Sequence, residues 1–206
     1  MAEITQGLRA VLNHPAIYGL FQWAVGANRL RRHIARLTLD RGVQRLRVLD
    51  VGCGPADLLD FLPNVDYVGF DPNPDYVAAA RRRFGDHGTF FQQQLEATTS
   101  LDHGTFDRVL AVGLLHHLDD PAARHLFALA RGLLRPGGCL VTVDACYAPD
   151  QHWLARWLIA RDRGQNVRHL EGYRSLAESE FPECQAECRH NLLNIPYTHA
   201  LLRCSV

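Results

Sequence analysis

Short apolar stretches alternate with stretches of helical spacing from Arg47 to Tyr147, and this alternation constrains the fold more than any other feature. The strand-like stretches are LRVLDVG, VDYVGFD, GTFFQQQ, FDRVLAVGLL and CLVTVDACY. ADLLDFL, DYVAAARRRFG and DPAARHLFALARGLLRPGG lie between them and have helical patterns. This order predicts an α/β fold, with a doubly wound and mostly parallel sheet and helices on both faces.

The two ends of the chain have different patterns. Residues 1–44 are predicted to be helical, and so are residues 148–180, where Trp153, Leu154, Trp157 and Leu158 form an apolar stripe. CQAECRHNLLNI and THALLRCSV are predicted strands joined at PYT, and so short a connection predicts an antiparallel hairpin. We therefore predict one domain over residues 1–206: a helical cap (1–44), a ligand-binding core (45–147), a helical insertion (148–180) and a closing β-hairpin (181–206).

The glycine turn Gly52–Cys53–Gly54 follows the first predicted strand, at the edge where doubly wound sheets bind ligands. Asp71 ends the second strand, 21 positions after Asp50, and is placed to accept both hydroxyls of a ribose. The third glycine of the dinucleotide fingerprint is replaced by Asp57, whose carboxylate would repel a pyrophosphate. The turn therefore predicts a nucleoside ligand without phosphates, and a nicotinamide dinucleotide is disfavoured.

Four segments, in this order, resemble motifs of the class I S-adenosylmethionine (SAM)-dependent methyltransferases. They are VLDVGCGPADLL, YVGFDPNPDYVAAARRRF, FDRVLAVGLLHHLDD and LLRPGGCLVTVD, and the resemblance covers residues 45–146. Ala56 stands where the first motif normally has its last glycine. The resemblance implies a Rossmann-like fold, SAM as the cofactor and S-adenosyl-L-homocysteine as the product.

The resemblance also implies which residues hold the cofactor. The methionine half would lie against Asp50, Gly52, Cys53 and Gly54, while Asp71 would bind the ribose. Pro72, Gln94 and Leu95 would meet the adenine, and Ala111 and Val112 would lie beside the methionine amine and the sulfonium. Family members often carry an acid where this chain has Gln94.

Methyl transfer to a hydroxyl requires removal of a proton, and His116 in LLHHLDD is the predicted base or acceptor-orienting group. The alternative is that this histidine begins a helix and packs structurally. Tyr18 and Gln22 in the cap, and Arg161 and Gln165 in the insertion, are the predicted acceptor contacts. For the arginines of the insertion, pairing with Asp162 or Glu171 in water is the alternative.

Composition limits the partners. Twenty-two basic and twenty-two acidic residues balance, and a nucleic-acid or anionic-lipid surface is therefore not predicted. The N/D-P-P-Y/F signature of enzymes that methylate nucleic-acid amines is absent from the fourth-strand motif. We expect a small-molecule acceptor, with oxygen favoured as the accepting atom. A SAM-binding protein without catalysis and a nicotinamide-dependent oxidoreductase are the alternatives.

The remaining predictions concern metals, cysteines and location. The Cys184–Cys188 spacing is a weak zinc signal, and we predict no metal site. The six scattered cysteines favour reduced thiols in a cytoplasmic protein. Contact of Trp153, Trp157 and Ile159 with a membrane surface is a further possibility, but we predict no stable membrane association. The sequence makes no prediction about the oligomeric state.

Overall fold

The computed structural model describes residues 25–39, 45–96, 105–162 and 164–206. Its helices are α1 (Ala27–Thr38), α2 (Pro74–Phe84), α3 (Asp120–Leu133), α4 (Trp153–Ile159) and α5 (Leu170–Glu178), with 3-10 turns at Asp57–Phe61 and Leu115–His117. Its strands are β1 (Leu46–Val51), β2 (Val65–Phe70), β3 (Gly88–Phe91), β4 (Phe106–Val112), β5 (Leu134–Tyr147), β6 (Arg168–His169), β7 (Glu183–Arg189) and β8 (His199–Ser205). The predicted helical cap lies mostly outside these residues.

The strands form one sheet of order β3-β2-β1-β4-β5-β8-β7, and the two-residue β6 pairs with β5. β1 to β5 are parallel neighbours, whereas β8 runs antiparallel to β5 and β7 antiparallel to β8. The chain reverses its direction across the sheet between β1 and β4. Ligands of such sheets bind beyond the carboxyl ends of the strands at this reversal.

Helices cover both faces of the sheet, which confirms the predicted fold class. Residues of α3 and α5 pack with Phe181 against one face, and residues of α1 and α2 pack with the Asp57–Phe61 turn against the other. Because both faces are covered, β4 is buried along nearly its whole length. The apolar run from Val109 to Val112 in β4 has this physical cause.

Side-chain caps fix where the two core helices begin. The Asn73 side chain accepts hydrogen bonds from the first turn of α2, and the Asp119 side chain accepts one from Ala122 N at the start of α3. Each helix also has proline in its first turn, where a missing N–H costs nothing. A cap of this kind stabilises a helix by about 1 kcal/mol.

Several elements differ from the prediction. ADLLDFL forms only the 3-10 turn Asp57–Phe61, and the third strand ends at Phe91, before the three glutamines. The connection between β7 and β8 covers residues 190–198, so that it is much longer than PYT. The two strands are nevertheless antiparallel neighbours as predicted, with β8 paired to β5 and β7 at the edge of the sheet.

The insertion and the cysteines also differ from expectation. In α4 the buried residues are Ala155 and Ile159, whereas Trp153 and Trp157 are exposed. The predicted stripe is therefore not the packed face, and the buried Ile159 cannot touch a membrane. A disulfide joins Cys184 and Cys204, which are opposite each other on β7 and β8. The expectation of reduced thiols is wrong for this pair, and Cys184 has a disulfide partner instead of a zinc ion.

In the described part of the chain, no helix is long and apolar enough to cross a membrane.

Candidate active site

The loop after β1 turns sharply because three of its residues have left-handed backbone angles. Gly52 has φ 74°, Gly54 has φ 53° and Ala56 has φ 59°. The N–H groups of Gly52 and Cys53 both donate to the carbonyl of Phe70, which ties the loop to the end of β2. A Cβ placed on Gly54 would have no atom within 4 Å, so there is open space beside this residue. A ligand can approach the backbone at this point.

Asp71 joins the glycine loop to the loop after β2. Its Oδ2 accepts a hydrogen bond from Gly54 N at 2.9 Å, and its Oδ1 accepts one from Asn73 N at 2.8 Å. A carboxylate oxygen can accept two hydrogen bonds, and each oxygen therefore keeps one lone pair for a further donor. Asp71 can hold the loop and bind two ribose hydroxyls at the same time.

Asp50 lies beneath the loop and has one oxygen without a partner. The hydroxyl of Tyr67 donates to its Oδ2 at 2.5 Å, but the buried Oδ1 has no hydrogen-bond partner. Burial raises the pKa of Asp50, the hydrogen bond from Tyr67 lowers it, and Asp71 raises it, to about 7 in all. A buried carboxylate oxygen without a donor fits a cationic ligand group at this position.

His116 lies after β4, in the turn Leu115–His117, between two carboxylates. Its Nδ1 is 2.8 Å from Asp144 Oδ1 and its Nε2 is 3.6 Å from Asp162 Oδ1. Asp144 comes from β5 and is almost completely buried, and Tyr197 donates a hydrogen bond of 2.6 Å to Asp162 Oδ2. The imidazole therefore has an acceptor at each ring nitrogen.

The two carboxylates determine the charge of His116. Burial lowers the pKa of this histidine, but the hydrogen bonds and charges of Asp144 and Asp162 raise it, to about 9 in all. The same contacts hold the pKa of Asp162 well below its usual range, although burial opposes them. At neutral pH the group is an imidazolium between two carboxylates, and its ring has no free lone pair to accept a proton.

Comparison with known proteins agrees with this geometry. A family model described as a methyltransferase domain matches residues 48–138, which include the glycine loop, Asp71 and His116. Over these residues the chain is similar to a methyltransferase domain, which agrees with its resemblance to the class I SAM-dependent methyltransferases. SAM is therefore the cofactor that the glycine loop is expected to bind.

Two relatives and one solved structure are examples of the proteins to which this chain is similar. An uncharacterized protein of Synechococcus is 38% identical over 104 residues, which are 47% of this chain and 24% of that protein. A ubiquinone biosynthesis O-methyltransferase of Cereibacter sphaeroides is 31% identical over 129 residues, 56% of this chain and 51% of the relative. The structure of a geranyl diphosphate methyltransferase in complex with GPP and sinefungin has TM-score 0.69 at 15% identity, over 86% of this chain and 78% of that one.

The chain spans about half or less of the length of these two curated relatives. The likeness to the solved structure, at its low identity, shows the fold alone.

The predicted cofactor residues of the methyltransferase domain meet at one edge of the sheet. Asp50, Gly52, Cys53, Gly54 and Asp71 surround the loop described above, while the adenine-side and sulfonium-side residues are spread along the same edge. Pro72 and Gln94 are exposed, Leu95 and Ala111 are buried, and Val112 is half-buried. Gln94 and Leu95 follow β3 as predicted, and Ala111 and Val112 end β4.

Asp57 has a different environment from the one that the sequence predicts. Its carboxylate pairs with Arg31 of α1 at 2.7 Å and with Arg83 of α2 at 2.8 Å. Two guanidinium groups compensate the negative charge, which weakens the argument that Asp57 repels a pyrophosphate. The match to a methyltransferase domain, and not the charge of Asp57, disfavours a nicotinamide cofactor.

The predicted acceptor contacts are only partly described. Tyr18 and Gln22 lie outside the described residues. Arg161 is exposed, with its guanidinium 4.1 Å from the ring centroid of Trp157. Gln165 is exposed and lies between Gly164 and Asn166. The N–H of Asn166 donates to the carbonyl of His116. Arg168 pairs with Asp120 and donates to the carbonyls of Leu115 and Leu118, so its charge is used within the protein.

Three residues that surround His116 were not predicted from the sequence to lie there: Asp144, Asp162 and Tyr197. Asp144 stands in the apolar stretch CLVTVDACY, where a single acid among buried residues was a signal that the site needs a charge. Asp162 and Tyr197 are distant from His116 in sequence and carry no local signal. Only the packing of the insertion and of the 190–198 connection against the end of β4 brings them together.

Proposed function

We propose that this protein transfers the methyl group of SAM to a hydroxyl oxygen of a small molecule. The observation that carries the proposal is the donor site at the switch point: an open glycine loop, a ribose-binding carboxylate with free lone pairs, and the orphaned Oδ1 of Asp50. These residues fit the uncharged ribose and the cationic methionine end of SAM. Oxygen as the acceptor atom is supported by seven relatives named as ubiquinone biosynthesis O-methyltransferases, which are 31–32% identical.

Bound SAM supplies an activated methyl group, and the residues of the chain bind and orient it. Asp71 accepts hydrogen bonds from the ribose while it keeps the loop in place through Gly54 N. Asp50, in its ionised form, accepts a hydrogen bond at Oδ1 from the methionine end of SAM and offsets the positive charge there. Positioning of two reactants in line contributes about 7 to 11 kcal/mol in well-oriented cases. Binding geometry is thus the main contribution that we assign to this chain.

His116 acts as an orienting group in this proposal, and not as the base at neutral pH. Its two nitrogens are directed at Asp144 and Asp162, and its raised pKa of about 9 keeps it protonated. An added Cβ on Gly113, at the end of β4, would lie 3.8 Å from His116 Cε1, which shows how close the imidazolium is to the donor edge. The acceptor hydroxyl loses its proton to water as the methyl group arrives, because both ring nitrogens of His116 face carboxylates and the imidazolium has no lone pair to accept that proton.

The donor site is tested by calorimetric titration of SAM, and separately of NAD, into the wild type and Asp71→Ala. We expect SAM binding that weakens about tenfold or more in the variant, because a hydrogen bond to a charged group contributes about 1.5–3 kcal/mol. Asp75→Ala is the matched control, since Asp75 is an exposed acid in the first turn of α2. SAM binding that is indifferent to Asp71, or tight NAD binding without SAM binding, would contradict the proposal.

The acceptor atom is tested with SAM that carries a radioactive methyl group. Catechols, phenols, aromatic amines and thiols are compared as acceptors, and we expect label transfer to the hydroxyl compounds. Transfer to amines alone would refute oxygen as the acceptor atom. SAM binding with no transfer to any class would favour the alternative of a SAM-binding protein without catalysis.

A further inference from the structure

A short segment of the insertion is fastened onto the turn that follows β4. We name this segment, Asp162 with residues 164–168, the strap. Asn166 N donates to the His116 carbonyl at 2.9 Å, and the Arg168 guanidinium donates to Leu115 O at 3.0 Å and Leu118 O at 2.8 Å. The backbone of the strap and one of its charged side chains thus hold both ends of the turn.

Gly164 shows how closely the strap lies against the imidazole. A Cβ on this glycine would be 2.0 Å from His116 Cδ2 and 2.7 Å from the His116 carbonyl oxygen. The second of these atoms belongs to the backbone and cannot move aside easily. Only glycine permits this approach, and any larger residue would push the strap away from the ring.

Asp162 makes the ionic contact between the strap and His116. Its Oδ1 accepts from Gly164 N at 3.2 Å and faces His116 Nε2 at 3.6 Å, while its Oδ2 accepts from Tyr197. One carboxylate thus orients the strap backbone, the imidazole and the 190–198 connection together. Asp144 holds the other side of the imidazole from β5, where it cannot move because it is buried in the sheet.

The charged and titratable groups around His116 come from every element packed against it. Asp144 and Asp162 are acids that favour its protonation, whereas His199 of β8 is a second imidazole near it. Burial and the charge of His116 lower the pKa of His199 to about 4, which keeps His199 neutral. The other neighbours are His117, whose ring centroid is 4.2 Å away, Tyr197 and Arg168.

We propose that Asp162 is a positioning residue: acting through His116, it holds the strap, and with it Gln165, against the end of β4 where the acceptor meets the methyl donor. This role rests on the proposed methyl transfer. The position of Gln165 is set by the strap, because both of its neighbours, Gly164 and Asn166, contact His116. An acceptor contact must be placed within a fraction of an ångström to be useful, and an exposed segment without such an attachment would not supply that order.

The attachment depends on the proton of His116. Burial lowers the pKa of His116 by less than the two carboxylates raise it, so that this pKa lies at about 9. The ion pair between His116 and Asp162 therefore holds the strap throughout the neutral pH range. Loss of this proton at higher pH removes the attraction between His116 and Asp162 and leaves the Asn166 hydrogen bond and the contacts of Arg168 to hold the strap. The strap should therefore loosen as pH rises through about 9.

The test combines histidine NMR with amide hydrogen exchange on the whole protein, and needs no acceptor. In Asp162→Asn we expect the pKa of His116 to fall by about 1 to 3, as for loss of an opposite charge at ion-pair distance. Protection of the Gly164 and Asn166 amides should fall about tenfold or more at pH 7, and its pH midpoint should move with the His116 pKa. Asp150→Asn is the matched control, because Asp150 pairs with His190 and not with the strap.

A second variant separates the attachment from general stability. Gly164→Ala keeps both carboxylates but forces the strap off the ring, so we expect lost protection of Asn166 with the Asp144 side of His116 unchanged. SAM affinity should stay within about twofold of the wild type in both variants, because the donor loop is not touched. Strap protection that is unchanged in Asp162→Asn, or that does not follow the His116 titration in the wild type, would overturn the proposal. Failure of SAM binding in the wild type would instead count against the proposed function.

Discussion

The protonated His116 should make the stability of this protein fall as pH rises from about 6.5 to 9. The pKa is 6.5 for an ordinary histidine and about 9 in the folded protein. A raised folded-state pKa means that the stabilisation is fully present below the unfolded pKa and is lost as pH rises through the folded one. A difference of about 2.5 in pKa, at 1.36 kcal/mol for each unit, corresponds to about 3 kcal/mol of unfolding free energy.

The measurement is urea unfolding at a series of pH values from 6 to 10 for the wild type and His116→Gln. Other groups also titrate at high pH, so the difference between the two proteins is the relevant quantity. We expect the wild type to lose about 3 kcal/mol more than the variant over this range, or about 6–12 °C in melting temperature for a chain of this size. His125→Gln, which changes an exposed histidine on α3, should follow the wild type. Parallel pH profiles for wild type and His116→Gln would refute the ion-pair reasoning.

Two further predictions concern the donor loop. SAM affinity should fall about tenfold between pH 8 and pH 6, because the pKa of Asp50 lies near 7 and the protonated acid cannot bind a cation. Calorimetry on Asp50→Asn should show weak SAM binding that does not depend on pH in this range. Gly54→Ala should cost about 1 kcal/mol of stability for a left-handed alanine, with no clash in the free protein. It should nevertheless reduce SAM affinity about tenfold or more, and equal affinity would show that the ligand does not approach Gly54.

The parallel core was predictable from sequence because local and global preferences agree there. Strands that are covered on both faces, such as β4 and β5, are mostly apolar along their buried length, and such apolar runs are recognisable in the sequence. The donor loop was predictable for a similar reason, since its glycines and Asp71 have fixed positions relative to strands β1 and β2. Errors occurred where packing overrides the local pattern, as in α4, whose tryptophans are exposed.

The His116 site shows the limit of such reasoning. The sequence identified the histidine and its place after β4, but not its charge, because a charge state depends on neighbours. Asp162 is 46 positions further along the chain than His116, and Tyr197 is a further 35 positions away. Neither distance carries a periodic signal, and the insertion has no motif that fixes where it packs.

The sequence by itself therefore determined the order of strands and helices along the chain, the parallel core and the position of the glycine turn after β1. Each of these follows from contacts between neighbours in sequence or from a burial pattern that repeats along an element. The tertiary structure decided the partners of charged groups: the arginines on Asp57, the disulfide between β7 and β8, and the two carboxylates on His116. Electrostatic and covalent partners act across space, and their effect on charge and position exists only once the chain has folded.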